Sequence, residues 1–99
     1  EGAILREANL RDCVLTGASL VGIEGQGAYI PDSDLTGVTF RGAQLQGINL
    51  WGSRLHGADL TGAILTGALL TGTQFDTSTR LPDGSPWSPN MDLERYTAG

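Results

Sequence analysis

His56 follows Arg54 by two residues in "SRLHG", and Asp76 lies twenty residues further on. An imidazole beside a carboxylate is the pairing that general acid–base chemistry uses. That chemistry also needs a nucleophile or a second base, and no Ser/His/Asp set accompanies the pair. His56 therefore reads as a solvated surface histidine. Cys13 is the single thiol. It cannot form an internal disulfide, and one Cys with one His cannot build a zinc site of the Cys/His type. The Thr-Gly pairs Thr61-Gly62, Thr66-Gly67 and Thr71-Gly72 recur at a fixed step, which marks them as structural corners and not as a phosphate-binding loop. The sequence predicts no enzyme, no cofactor and no metal ligand.

Composition narrows the function further. Ninety-nine residues allow one domain at most. The net charge is -5, with six basic residues, all arginine, against eleven acidic ones. That balance argues against general affinity for nucleic acid phosphates, which requires a basic stripe. No run approaches the roughly 20 apolar residues of a membrane span. Fifteen glycines are about twice average usage, and they demand either disorder or a repeated tight backbone feature.

The feature is a step of five. Large apolar residues recur at Leu5, Leu10, Leu15, Leu20, Ile30, Leu35, Phe40, Leu45 and on to Phe75, with Gly25 as the lone exception among fifteen such centres. Two residues before each centre lies a mostly small column: Ala8, Cys13, Ala18, Ala28, Ser33, Ala43, Ser53. Two residues after it, Gly fills eleven of the fifteen places. A helix would spread this pattern around its cylinder, because five residues at 100° each leave a drift of 140° per unit. Glycine at every fifth place would also cost about 1 kcal/mol each in a helix interior. A flat strand fails on parity, since the next small residue comes three after the centre. A corner in each unit resets the parity, and the Gly column provides the backbone for it. Corners of one hand wind the chain into a coil whose turns stack at about 4.8 Å.

The A-[DN]-L-x-x pattern, seen as "ANLRD", "INLWG" and "ADLTG", resembles the pentapeptide-repeat proteins. The resemblance covers residues 1–76. It implies an all-β fold, a right-handed quadrilateral parallel β-helix of about four coils and about 18 Å length. Residues 77–99, "TSTRLPDGSPWSPNMDLERYTAG", resemble the C-terminal segments of cyanobacterial members and form a cap or tail. Leu81, Trp87, Met91 and Leu93 are expected to plug the end of the coil. A short helix is expected from Ser88 as N-cap, with Pro89 in its first position.

Four units per coil stack residues twenty apart on one wall. The second wall then carries Asn9, Tyr29, Asn49 and Leu69 in one outward column and Arg11, Pro31, Trp51 and Thr71 in another. Tyr29, Trp51, Asn49 and Leu69 are the candidate partner surface, because exposed aromatics can mark contact sites. Ile64 and Leu69 are expected to be shielded by the tail. Each wall holds one arginine among the acidic residues (Arg6, Arg11, Arg54 and Arg41), so none is a ladder of carboxylates. Cys13 is expected to be buried and inert. Ile23, large where the column is small, is expected to fill the space left at Gly25.

The sequence opens without Met at Glu1-Gly2, the last two places of a unit, and Ala3 and Leu5 begin the core at once. A processed or excised piece of a longer chain is expected, with any upstream targeting signal out of view. The alternative expectation is end-to-end stacking or a homodimer through this uncapped N-terminal coil, and the cytoplasm is the expected compartment. The function expected is a non-catalytic structural or protein-interaction module with a protein partner, away from membranes and without direct nucleic acid binding. The alternative is the DNA mimicry of some family members, which bind type II topoisomerases such as gyrase. The acidic balance is compatible with it; the short rod and the mixed charge of every wall oppose it.

Overall fold

In the computed structural model, which describes residues 4–89 and 91–98, each five-residue unit contributes one short wall and one corner. The repeat's Ala3 and the tail's Asn90 lie outside the described residues. Most corners are reverse turns closed from the residue after the turn back to the centre, as in Ala8 N–H to the Leu5 carbonyl at 3.0 Å and Val38 N–H to Leu35 at 3.1 Å. The third residue of each turn is left-handed: the Gly column from Gly17 to Gly72 has φ between 67° and 75°. Glu7, Asp12 and Asp32 hold the same place with φ of 58°, 58° and 56°, a conformation that costs most side chains energy and Asp less.

Four corners close one coil. Parallel bridges join residues twenty apart: Ile4 to Glu24 to Gln44 to Ile64, and likewise along the other three walls. Coil 1 is residues 4–23, coil 2 residues 24–43 and coil 3 residues 44–63; coil 4 starts at residue 64. Each wall is tied in both directions. Leu10 N–H donates forward to the Tyr29 carbonyl at 2.7 Å, and Tyr29 N–H donates back to the Ala8 carbonyl at 2.7 Å. The centres and the small column face inward. Leu35, Phe40, Leu45, Leu50 and Leu55 are sealed from solvent along with Val38, Ala43 and Ile48. At the Gly25 position, Ile23 is buried and its Cδ1 lies 3.5 Å from where a glycine Cβ would stand. Leu45 Cδ2 comes closer, at 3.0 Å. Both side chains fill the gap.

The coil continues past residue 76 with one residue inserted. Asp59 bridges to Arg80 and not to a residue twenty away. The turn there closes from Thr79 N–H to the Asp76 carbonyl at 3.0 Å, one place later than the repeat would have it. Leu81 is buried as a further centre. The tail then crosses the end of the coil. Trp87 stacks on Phe75 with ring centroids 5.9 Å apart. Leu93 and Tyr96 close over Leu65, Leu70, Phe75 and Leu81, leaving a void of only about 10 Å³.

Two expectations about the tail are corrected. The helix, α1, is Glu94–Thr97. Ser88 and Pro89 do not start it; Ser88 instead closes a separate turn, accepting from Met91 N–H at 3.3 Å. Asp92 holds the true start, accepting from Glu94 N–H at 2.9 Å. Ile64 and Leu69 are not shielded and remain 44% and 47% exposed, because the tail is held by the apolar cross-section and does not run along a wall.

Candidate interaction surface

The second wall assembles from the bridges Asn9 to Tyr29 to Asn49 to Leu69. Strand pleating points these residues outward, opposite to the buried centres beside them. Tyr29 is 37% exposed, Trp51 49% and Leu69 47%. Asn49 is half-buried. Its Oδ1 accepts from Trp51 N–H at 3.0 Å, so it fixes the backbone that carries the indole. Arg11 extends along the wall and places its guanidinium 6.0 Å from the Tyr29 ring centroid, a cation–π distance. Pro31, between Arg11 and Trp51 in the second column, is buried. The four residues read from the sequence are thus on one wall, with Arg11 as an added member.

The Asn49 contact is one case of a general device. Asp34 accepts from Thr36 N–H at 3.1 Å, and Asp59 from Thr61 N–H at 3.0 Å. Asp76 and Asp83 do the same with Ser78 and Ser85. The Thr36 bonds hold the Asp34 carboxyl below its ordinary range. Burial pushes Asp59 upward, but its bonds from Thr61 and the Arg41 guanidinium at 2.9 Å outweigh that and leave it lowered. Ser78 and Ser85 lower Asp76 and Asp83. Asp76 also accepts from Gly57 N–H at 3.1 Å. It therefore braces the corner beside His56.

The corner between the second and third walls was not foreseen. Two of its turns are held by inserted hydroxyls. Ser33 Oγ accepts from Cys13 N–H at 3.0 Å and donates to the Leu10 carbonyl at 3.0 Å. Ser53 Oγ accepts from Ser33 N–H at 3.1 Å and donates to the Ile30 carbonyl at 2.5 Å. Thr73 continues the column with a bond to Leu50 at 2.6 Å. The readable signal was the run Cys13, Ser33, Ser53, Thr73 in an otherwise apolar column. Outside this spine lies a groove of about 430 Å³ lined by Asp12, Cys13, Asp32, Asp34 and Arg54 among others. Cys13 is only half-buried, contrary to expectation, because coil 1 is covered from one side. Among the described residues no group of acidic, histidine or cysteine side chains is arranged to hold a metal ion, and no helix is long and apolar enough to cross a membrane.

A family model described as pentapeptide repeats matches residues 1–24 and 33–72 in eight copies. The chain belongs to the pentapeptide-repeat family. The unmatched gap spans Gly25 and Tyr29, where the pattern is least regular. No curated protein is matched by the sequence. Among solved structures, the chain resembles alr5209, a pentapeptide repeat protein from Nostoc Pcc 7120. The identity is 25%, with 99% of this chain and 80% of that one covered, at a TM-score of 0.60. It also resembles AT2G44920, a pentapeptide repeat protein of the Arabidopsis thaliana thylakoid lumen. There the identity is 21%, over 92% of this chain and 74% of that one, with a TM-score of 0.51. A third likeness is to QnrB1, a plasmid-mediated fluoroquinolone resistance protein: 20% identity, 80% and 51% coverage, TM-score 0.47.

Proposed function

We propose that this pentapeptide-repeat chain is a non-catalytic interaction module, a right-handed four-sided β-helix whose second wall docks a protein partner. One observation carries the proposal: Tyr29, Trp51 and Leu69 are exposed together on a wall whose backbone is bonded coil to coil. Such a wall loses little conformational entropy on docking, which favours binding by preorganisation. Tyr, Trp and Arg are also the types that dominate contact energy, and Arg11, Tyr29 and Trp51 supply one of each. A gyrase-binding DNA mimic is the weaker reading. The acidic net charge is compatible with it, but Arg54 stacks directly on Asp34 and Arg41 pairs with Asp59, which breaks any continuous line of negative charge.

The test is affinity capture from a source proteome with the whole chain as bait. The Tyr29→Ala/Trp51→Ala double variant is expected to lose the specific partner while Ile4→Ala, on another wall, retains it. Equal capture by both variants removes this wall as the contact surface. Loss of gyrase supercoiling activity on adding the chain would favour the weaker reading instead.

A further inference from the structure

The second wall ends at a corner whose stacked places are Asp12, Asp32, Gly52 and Gly72. Asp32 N–H donates to the Trp51 carbonyl at 2.8 Å, and Asp32 Oδ1 stands 2.6 Å from the place of a Cβ on Gly52. This carboxylate therefore hangs over the residue next to the exposed Trp51. Asp12 lies one coil away from it, about 4.8 Å along the stack. Unlike the aspartates that brace corners, neither Asp12 nor Asp32 has a side-chain hydrogen bond or an ion pair among the described residues. Both line the groove beside the wall. Asp34, the third carboxylate there, is already taken by Thr36 N–H and lies beside Arg54.

We propose that the occupant of the second wall is an extended protein segment carrying an arginine, with an apolar residue two places away. The inference rests on the reading of that wall as the docking face and names the chemistry of its partner. Charge complementarity selects a cation, since the corner beside Trp51 holds two carboxylates with no counter-charge. The wall already shows how it takes a guanidinium: Arg11 lies 6.0 Å from the Tyr29 ring centroid. Trp51 is 49% exposed and has no ring or guanidinium partner among the described residues. An arginine from a partner stacks on that open indole and presents its fork of N–H donors to Asp12 and Asp32. Lysine, a compact ammonium, does only the second of these. The apolar position follows from the register. Leu69, 47% exposed, bridges Asn49, which is two residues from Trp51. Two residues along a strand and one coil spacing place Leu69 about 8 Å from Trp51. Side chains two apart on an extended segment point the same way at about 7 Å, which matches that span.

The experiment selects a displayed library of random heptapeptides on the whole chain and, in parallel, on Tyr29→Ala/Trp51→Ala. Peptides held by the chain and lost on that variant are expected to share an arginine with Leu, Ile, Val or Phe two places away. The shared sequence is then synthesised and titrated in solution. Asp12→Gly/Asp32→Gly is expected to weaken its binding about tenfold, and raised salt to weaken it as well. Glycine is the usual residue of this corner and relieves the left-handed φ of 58° and 56° at the two aspartates, so the variant keeps the fold, as an unchanged thermal midpoint verifies. Replacing the peptide's arginine by glutamine is expected to abolish the difference between the chain and the variant. Peptides that need Tyr29 and Trp51 but carry no arginine overturn this inference and leave the wall as the docking face. So do arginine peptides that bind Asp12→Gly/Asp32→Gly undiminished. Selection of no peptide that depends on the two aromatics overturns it too, while capture of the whole partner still decides the wall by itself.

Discussion

Ile23 and Gly25 share one volume. The Ile23 Cδ1 lies 3.5 Å from the place of a Cβ on Gly25, and Ile23 itself is 1% exposed. Truncating Ile23 leaves no other side chain of its unit to fill the space, so Ile23→Ala is expected to cost about 2–5 kcal/mol. Ala43→Gly, in the same column one coil on, removes one methyl and loosens the backbone, at about 1 kcal/mol. Restoring a leucine at position 25 is expected to destabilise by about 1–3 kcal/mol as well, since Leu45 already occupies the site. Urea unfolding midpoints of the three variants give the order directly.

Asp32 lies over Gly52. A Cβ on Gly52 would stand 2.6 Å from Asp32 Oδ1, whereas one on Gly42, at the same φ to within a few degrees, meets nothing within 4 Å. Gly42→Ala thus isolates the left-handed backbone strain, roughly 1–2 kcal/mol. Gly52→Ala must also push aside the carboxylate of the exposed Asp32, a shift that side chain makes cheaply, so only a small excess is expected, and it is expected to vanish in the Asp32→Gly background. A double-mutant cycle on thermal stability measures that coupling.

The hydroxyl spine makes a third prediction. Ser53 is sealed from solvent, and its Oγ serves Ser33 N–H and the Ile30 carbonyl. Ser53→Ala orphans a buried donor and a buried acceptor, a loss of about 1–3 kcal/mol per unsatisfied group. Ser53→Thr keeps the hydroxyl and matches the role of Thr73, so the smaller loss is expected there. Equal destabilisation by the two would mean that packing, and not the hydrogen bonds, decides this column.

The walls were legible because a strict period leaves no freedom in what stacks on what. Once four units make a coil, Tyr29 must fall beside Asn49, and Asn49 beside Leu69. The Ile23 repair was legible from volume alone, although the closer approach of Leu45 depends on its rotamer and could not be read. The serine spine was written in the sequence, but small residues in an inward column satisfy packing whether or not they carry a hydroxyl. Only the missing turn bonds at Cys13 and Ser33 distinguish the two. Beyond residue 76 the period stops constraining the chain. The one-residue insertion before Arg80 and the placement of α1 are set by tertiary contact with the open end of the coil, where local helix signals at Ser88 and Pro89 are weak by comparison.

Acid sensitivity follows from the carboxylates that brace the corners. Asp34, Asp59, Asp76 and Asp83 are all lowered from the ordinary value of 3.8. An aspartate lowered in the folded state binds protons more readily when unfolded, so its stabilisation is complete above the ordinary value and is lost as the pH falls through the lowered one. Thermal midpoints are therefore expected to be flat from neutral pH to about pH 5 and to fall below about pH 4. Asp59→Asn keeps an acceptor for Thr61 N–H but removes both the titration and the charge facing Arg41. It is expected to make the acid limb shallower with a small loss at neutral pH, where the pair with Arg41 is largely solvent-screened. An acid limb of unchanged steepness in Asp59→Asn would place the pH dependence on the other three carboxylates.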